Sequence, residues 1–249
     1  MKQINAKILQ NDQIAPGFFD MLADCPEASA EAKPGQFVHI LTGDKPLRRP
    51  ISICDAENGT LRFVYEVRGE GTGLLSGMKP GEMLDFLGPL GNGFDLSPGN
   101  VLLVGGGLGV PPLLYAAKAC KGKAEAALGF RTKTAAILLD DFKKETNRVF
   151  IATDDGTLGL HGLVSEPVRD RLAEKSFDLV CACGPVPMLK AAAALAREYG
   201  VRCLVSLEER MACGVGACLG CACALKEQTQ YAQVCKGGPV FDAEKLEWR

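Results

Sequence analysis

The residues best suited to chemistry lie in a cysteine-rich stretch near the end of the sequence. Cys213, Cys218 and Cys221 have the spacing C-x4-C-x2-C, and Cys235 follows further along the chain. Three thiolates on one loop with a fourth from elsewhere are the plant-type ligand order of a [2Fe–2S] cluster. Glycines between these cysteines suit a tight loop, since glycine adopts positive φ without steric cost. The spacing therefore predicts a [2Fe–2S] cluster on these four cysteines.

Three alternative roles for the cysteines fit the pattern less well. Structural zinc sites usually combine two C-x2-C pairs, or cysteine with histidine. This sequence has one such pair, and its only histidines are His39 and His161. Disulfides are rare in a reducing compartment, and buried unreactive cysteines remain an alternative. Cys223 is a rival for the third ligand position, although the spacing favours Cys221.

The composition is that of a globular protein and excludes several functional classes. The 249 residues are 47% hydrophobic and 23% charged, with a net charge of −2. A nucleic-acid-binding protein would need a basic patch, and a membrane span would need about 18 consecutive apolar residues. The first residues lack the apolar core of a signal peptide. We therefore expect a cytoplasmic protein that binds neither nucleic acid nor membrane.

The first hundred residues are predicted to form short strands separated by turns. Between Leu61 and Val67, apolar and polar residues largely alternate, which is the period of a half-buried strand. Pro-Gly and Asn-Gly pairs punctuate the segments at turns. Short strands at this spacing are typical of a small antiparallel barrel. The predicted strands are Gln3–Leu9, Gly17–Leu22, Gln36–Leu41, Ile51–Cys54, Leu61–Val67 and Glu82–Leu87.

From Asn100 onward, apolar strands alternate with helices. Val101–Val104 is a continuous apolar run, as expected for a parallel strand buried on both faces. A glycine-rich turn follows, and then a helix over Val110–Ala119 with prolines in its first turn, where they are tolerated. The alternation predicts a parallel sheet with helices on both faces. Further strands are predicted at Ala124–Phe130, Arg148–Thr153, Phe177–Ala182 and Val201–Leu207, and helices at Ala136–Phe142, Val164–Leu172 and Met188–Tyr199.

Two motifs of the first half resemble those of the ferredoxin reductase superfamily. An Arg-Pro-x-Ser motif at Arg49–Ser52 precedes a glycine-rich turn at Arg68–Ser76 and then a nucleotide-type domain. Each motif alone is a weak signal, but in that family the first clasps FAD and the second binds its pyrophosphate. The resemblance implies FAD contacts at Arg49, Pro50, Ile51, Ser52, Val67, Arg68, Gly71, Thr72 and Gly73.

The glycine turn of the second half departs from the Rossmann fingerprint, because Val110 stands where glycine or alanine is required. Ferredoxin reductases instead use Gly-Gly-x-Gly-x-x-Pro, and the run Cys183–Met188 resembles their Cys-Gly-Pro-x-x-Met motif beside the nicotinamide. No catalytic acid or base is implied, since a hydride passes directly between nicotinamide and flavin. The resemblance implies NAD contacts at Gly105, Gly106, Gly107, Gly109, Cys183, Gly184 and Pro185.

Motifs in all three parts of the chain are similar to the electron-transfer subunits of class B, NAD-dependent dihydroorotate dehydrogenases. Ser206–Cys218 and Val234–Phe241 carry the resemblance at the C-terminal end. It implies a chain holding FAD and one [2Fe–2S] cluster beside an FMN-containing catalytic subunit, in a heterotetramer of two of each. That complex oxidises dihydroorotate to orotate in pyrimidine synthesis, with NAD+ as acceptor.

The expected fold class is α/β plus all-β, in three parts. We predict an N-terminal antiparallel FAD-binding β-barrel at 1–98, a parallel-sheet NAD-binding α/β domain at 99–205 and a small [2Fe–2S] module at 206–249. The number of electrons that each cofactor carries supports an electron relay from cluster to flavin to nucleotide. A cluster passes single electrons, and a flavin can combine two of them into a hydride.

Two functional alternatives stay open. One is a related reductase acting on ferredoxin, sulfite or sulfide-derived acceptors, and the other is a non-enzymatic regulator that binds zinc and a nucleotide. NADP also stays open as the nucleotide, since Arg131 or Lys133 lies near the second predicted strand of the α/β domain.

Overall fold

The first half of the chain forms a curled antiparallel sheet. The computed structural model describes residues 2–97, 99–226 and 231–248. Seven strands pair in the order β4-β3-β7-β1-β2-β6-β5, so that β4 and β5 are the two edges of a half-barrel. The strands are β1 Lys2–Ala15, β2 Phe18–Asp24, β3 Phe37–Ile40, β4 Arg49–Ser52, β5 Asp55–Glu57, β6 Thr60–Glu66 and β7 Met83–Leu90, with helices α1 Pro26–Glu31 and α2 Glu70–Gly77.

Alternating side chains fill the interior of this half-barrel. Along β7, Leu84 and Phe86 are buried, and the rings of Phe86 and Phe63 meet edge to face with 6.1 Å between centroids. The predicted strands overlap the observed ones, but β1 continues to Ala15 instead of ending at Leu9, β5 was not predicted, and one strand begins earlier than predicted. The strand predicted to begin at Ile51 begins at Arg49, because Arg49–Ser52 pairs with β3. This pairing fixes the arginine motif on an edge strand of the sheet.

The second sheet is parallel except at one edge. Its order is β11-β10-β9-β8-β12-β13-β16, and only β16, which spans Val240–Asp242, runs antiparallel to its neighbour. The chain moves outward from β8 to β11 and then returns to β12 on the other side of β8, which creates a switch point between β8 and β12. The strands are β8 Val101–Gly106, β9 Ala124–Phe130, β10 Arg148–Thr153, β11 Leu160–His161, β12 Leu179–Cys183 and β13 Arg202–Ser206.

Helices cover both faces of the parallel sheet, as predicted. Apolar residues of α3 and α4 pack in one core with Leu103 and Leu128, and those of α5 and α6 pack in another with Leu102 and Val104. The helices are α3 Val110–Ala119, α4 Leu139–Glu145, α5 Ser165–Glu174 and α6 Val186–Glu198. Helix α4 begins later than the predicted Ala136, because Leu138 adopts a left-handed conformation at φ 60°.

The C-terminal segment combines the cysteine loop with short strands. Strands β14 Ala222–Cys223 and β15 Ala232–Gln233 pair antiparallel, and β16 Val240–Asp242 then joins the edge of the parallel sheet. In the described part of the chain, no helix combines the length and apolar character needed to span a membrane.

Candidate flavin, nucleotide and cluster sites

The four predicted cluster ligands lie together as two pairs of thiols. The Cys213 and Cys218 thiols lie within mutual hydrogen-bonding reach, as do those of Cys221 and Cys235. Among the described residues, no three or more His, Cys, Asp or Glu side chains converge on a position for one metal ion. A two-iron cluster needs a different arrangement, because its four thiolates are shared between two irons. The paired arrangement fits that need.

Backbone N–H groups point at these sulfurs. The N–H of Gly216 donates to Cys235 Sγ at 3.1 Å, and that of Cys218 donates to Cys213 Sγ at 3.4 Å. The N–H of Val215 is the main cause that lowers the pKa of the Cys213 thiol to about 6. Gly214 and Gly216 make the loop possible, since they adopt φ of 69° and 79°. Converging donors of this kind suit a negatively charged sulfur cluster.

Cys221 and Cys223 occupy different environments. Cys221 is 1% exposed and packs with Cys235, whose N–H donates to Cys221 Sγ at 3.4 Å. Cys223 lies on β14 and is in contact with the core formed by α5 and α6 as well as with the core around Cys235. Burial raises the pKa of the Cys223 thiol. The contacts therefore favour Cys221 over Cys223 as the partner of Cys235.

A cavity of about 230 Å³ lies where the three parts of the chain meet. The arginine motif forms one wall, and the end of β12 together with the end of β13 and the residues after it forms another. Of the predicted FAD contacts, six line this cavity: Arg49, Pro50, Ile51, Ser52, Arg68 and Thr72. The others take different positions: Gly71 lies against the Arg49 side chain, Val67 is 37% exposed, and Gly73 lies in α2 with open space beside it.

Arg49 is the cation of this cavity that suits a flavin diphosphate. The Arg49 guanidinium donates to the Leu47 carbonyl at 2.5 Å, and no carboxylate of the described residues forms an ion pair with it. It is therefore available to an anionic ligand. Gly71 leaves room for it, because a Cβ at that position would overlap Arg49 Nε. A guanidinium without a carboxylate partner can bind the diphosphate of FAD, and the apolar residues beside it can contact the flavin ring.

Several cavity residues were not predicted from the sequence. Glu208, Glu209 and Met211 come from the segment before the cysteine loop, Tyr65 comes from β6, and Leu108 comes from the 3-10 turn between β8 and α3. Motifs of the sequence contain four of these residues, but none of those motifs assigns them to the flavin. Glu208, Glu209 and Met211 reach the cavity because the C-terminal segment packs beside both the half-barrel and the parallel sheet. Tertiary packing therefore supplies a wall that sequence motifs did not reveal.

The flavin cavity and the cluster cysteines share one layer of side chains. Phe37 and Met211 line the cavity, and both also pack in the core that contains Cys221 and Cys235. Phe37 is 3% exposed. One layer of apolar side chains thus separates the two candidate redox sites.

A second cavity of about 280 Å³ lies at the switch point of the parallel sheet. Ligands of open α/β sheets bind at such a point, beyond the carboxyl ends of the strands. Of the predicted NAD contacts, Gly106, Gly107 and Pro185 line it, together with Phe130, Arg131 and Asp154. Arg131 was weighed from the sequence as a phosphate contact, whereas Asp154 was not identified.

The remaining predicted NAD contacts lie outside the second cavity. Cys183 lines the flavin cavity, and Gly184 packs on Gly106. Gly109 lies against the Cys183 carbonyl, which a Cβ at that position would overlap. Gly105 is covered by Val110, Leu113 and Leu128. These glycines allow close backbone approach between β8 and β12, and Cys183 lies at the junction.

Comparisons with known proteins agree with this geometry. Residues 208–247 match the model of the iron–sulfur cluster binding domain of dihydroorotate dehydrogenase B. The electron transfer subunit of dihydroorotate dehydrogenase B (NAD(+)) from Caldanaerobacter subterraneus subsp. tengcongensis is 43% identical, and the match covers 98% of each chain. The corresponding subunit from Geobacillus kaustophilus is 45% identical over 86% of each chain.

The chain belongs to the family of dihydroorotate dehydrogenase B electron transfer subunits. The family predicted from the sequence is thereby confirmed, as is the class of activity, that of an electron transfer subunit of an oxidoreductase. The matched domain fits the predicted iron–sulfur cofactor.

Solved structures place the fold among flavin reductases. A chain of the NADH-dependent reduced ferredoxin-NADP oxidoreductase, a structure described for flavin-based electron bifurcation, aligns with a TM-score of 0.89 and 36% identity over 98% of this chain and 90% of its own. A ferredoxin NADP+ reductase from Neisseria gonorrhoeae with bound FAD and NADP aligns with a TM-score of 0.66 at 17% identity, covering 84% of this chain and 94% of its own. The predicted fold class is confirmed, and this fold fits FAD and NAD as cofactors.

Proposed function

We propose that this chain passes electrons from the FMN of a catalytic dihydroorotate dehydrogenase subunit to NAD+, through a [2Fe–2S] cluster and FAD. Its relatives are electron transfer subunits of dihydroorotate dehydrogenase B (NAD(+)). The observation that supports the relay most directly is the single layer formed by Phe37 and Met211 between the flavin cavity and the cluster cysteines. Adjacent sites of this kind permit electron transfer within one chain.

The proposal assigns each site to named residues. Cys213, Cys218, Cys221 and Cys235 hold the cluster. The FAD diphosphate is held by Arg49, Arg68 and the start of α2. The residues beside it are Pro50, Ile51, Ser52 and Thr72. The turn around it is shaped by Val67, Gly71 and Gly73. The NAD site at the switch point is formed by Gly105, Gly106, Gly107, Gly109, Cys183, Gly184 and Pro185. FAD supplies the conversion between a hydride and single electrons, and the protein orients the two rings.

Asp154 supports NAD rather than NADP as the nucleotide. It lines the second cavity just beyond the end of β10, beside Arg131 at the end of β9. A carboxylate at strand ends of this kind accepts hydrogen bonds from ribose hydroxyls and repels a ribose phosphate. The NAD(+) in the names of the relatives agrees with this preference.

The proposed partner surface surrounds the cluster loop. Leu219, adjacent to the ligand Cys218, is 73% exposed, and Tyr231 is 57% exposed. Exposed apolar side chains next to a redox site are typical of a docking surface. We propose a cytoplasmic heterotetramer of two such chains and two catalytic subunits. Within each such chain, the flavin region is residues 1–98, the nucleotide region is 99–205 and the cluster region is 206–249.

Reconstitution with the catalytic subunit tests this function. The complex should oxidise dihydroorotate with NAD+ as acceptor, whereas this chain alone should oxidise NADH with artificial acceptors but not dihydroorotate. Full dihydroorotate oxidation by the isolated chain would contradict the proposed division of roles.

A ferredoxin-linked reductase is the second candidate. The 36% identity to a chain of the reduced ferredoxin-NADP oxidoreductase favours it over the remaining alternatives. NADH oxidation is therefore measured with orotate and the catalytic subunit in one assay, and with ferredoxin in a parallel one. Faster turnover with ferredoxin alone would favour the second candidate. A zinc-binding regulator would be colourless and would contain no iron.

A further inference from the structure

A histidine that no motif marks lies between the flavin half-barrel and the cluster loop. His39 is on β3 and is 0% exposed. Among the described residues, neither ring nitrogen forms a well-aligned hydrogen bond, although the Cys213 carbonyl lies near the ring. Buried polar groups are nearly always paired in folded proteins, so an unpaired one points to a particular role.

The ring of His39 lies against the cluster loop. A Cβ at Gly214 would overlap His39 Nδ1, so the ring occupies the space that this glycine leaves open. Burial lowers the pKa of His39, while the nearby carbonyls of Arg48 and Cys213 raise it. The Cys213 carbonyl, which belongs to a proposed ligand, therefore lies close to the ring.

His39 also belongs to the strand that carries the flavin site. It is opposite Pro50 of the arginine motif in the β3–β4 pair. Phe37, two residues earlier on the same face of β3, lines the flavin cavity and packs near Cys235. On the other side of the strand, Arg48 Nη1 donates to Asp85 Oδ1 at 2.6 Å and to the His39 carbonyl at 3.3 Å. The strand that holds His39 is thus fixed on both sides.

We propose that His39 is a positioning residue that presents an imidazole N–H to the Cys213 carbonyl and holds the cluster loop at a fixed separation from the flavin strand. This inference rests on the proposed relay from cluster to FAD. Partners of metal ligands commonly set ligand orientation in this way. Electron transfer slows steeply with distance, so a displaced loop slows exchange between cluster and flavin. Reduction of the flavin by NADH does not involve the loop.

The test uses the intact protein with its cluster and flavin, in His39→Leu and His39→Gln variants. Leucine fills similar space without a donor, whereas glutamine retains an N–H. Val38→Ala is the matched control, because Val38 is also 0% exposed on β3 but faces the interior of the half-barrel. Stopped-flow absorbance follows flavin reduction by NADH, and freeze-quench electron paramagnetic resonance (EPR) follows cluster reduction.

The expected result separates the two steps. His39→Leu should slow cluster reduction by about tenfold or more, the usual effect of losing such a partner, with flavin reduction within about twofold of the unmodified protein. His39→Gln should recover part of the rate, and Val38→Ala should leave it unchanged. The EPR signal of the reduced cluster should shift in His39→Leu alone.

Two results would overturn the inference: an unchanged cluster reduction rate in His39→Leu, or an equal slowing in Val38→Ala. If His39→Leu does not fold, His39→Gln takes its place. An unchanged cluster reduction rate in His39→Gln, or an equal slowing in Val38→Ala, would then overturn the inference. The unmodified protein separates this inference from the proposed function. A cluster that NADH cannot reduce in the unmodified protein contradicts the relay itself.

Discussion

The backbone N–H of Cys235 donates a hydrogen bond to the thiol of Cys221, with 3.4 Å between N and Sγ. This contact joins a cysteine of the loop to the one that arrives later in the chain, whereas in the described part of the chain Cys223 packs near Cys235 without a hydrogen bond to it. Cys221→Ser should therefore lose most of the bound iron while keeping its flavin, and Cys223→Ser should keep both. Iron and flavin contents of the purified variants check this. The opposite result would make Cys223 the ligand.

Arg49 is the main cation that we expect at the FAD diphosphate. Since charge-assisted hydrogen bonds contribute about 1.5–3 kcal/mol, Arg49→Gln should weaken FAD binding roughly ten- to hundredfold. Fluorescence titration of the flavin-free protein with FAD measures the affinity. Arg169→Gln is the control, because Arg169 is exposed on α5, away from the flavin cavity. Equal affinities in the two variants would remove Arg49 from the flavin site.

Asp154 should determine the choice between NADH and NADPH. Like charges brought together cost a few kcal/mol, so Asp154→Asn should raise the kcat/KM for NADPH relative to NADH by about tenfold or more. Asp155→Asn is the matched control, since the Asp155 carboxylate accepts from Thr157 at 2.6 Å and does not line the cavity. Steady-state kinetics with NADH and NADPH measure this ratio in both variants. A ratio unchanged in Asp154→Asn would contradict the assignment.

A buried ion pair should make stability depend on pH. Glu125 is 3% exposed and accepts from Arg171 Nε at 2.9 Å and Lys175 Nζ at 2.8 Å. Burial favours the neutral carboxyl, but the hydrogen bonds from Lys175 and Arg171 outweigh it and hold the pKa of Glu125 below its ordinary 4.5. A lowered folded pKa means that this stabilisation is present above pH 4.5 and is lost as the pH falls below it.

Glu125→Gln should therefore lower the free energy of unfolding by about 3–5 kcal/mol at pH 7, since it removes the buried carboxylate that pairs with the buried Arg171. Its stability should also change less than that of the unmodified protein below pH 4.5. Glu174→Gln, which removes an exposed partner of the same arginine, should cost about 1 kcal/mol or less. Urea unfolding at several pH values measures both. Equal losses in the two variants would contradict this account.

Local patterns predicted most of the fold. The continuous apolar run of Val101–Val104 and the prolines that open Val110–Ala119 placed β8 and α3 correctly, because each element is specified by its own residues. Elements that depend on distant partners were less predictable. Strand β16, Val240–Asp242, was not predicted because it exists through pairing with β13. The start of β4 at Arg49 likewise depends on β3.

The candidate sites divide in the same way. Motif residues such as Arg49 and Gly106 were identifiable, because the backbone shape that each motif requires is local. Met211, Asp154 and His39 were not identified. Their proposed roles depend on what folds against them: the flavin cavity for Met211, the nucleotide cavity for Asp154 and the cluster loop for His39. A single histidine in an apolar strand segment gives no sequence signal for such a position.

The most direct test of the relay is EPR spectroscopy of the isolated chain after reduction by NADH under anaerobic conditions. The account predicts the signal of a reduced [2Fe–2S] cluster in the unmodified protein. It also predicts loss of that signal in Cys218→Ser, with NADH still bleaching the flavin absorbance. A reduced-cluster signal of undiminished size in Cys218→Ser, or a protein that contains zinc and no iron, would contradict it.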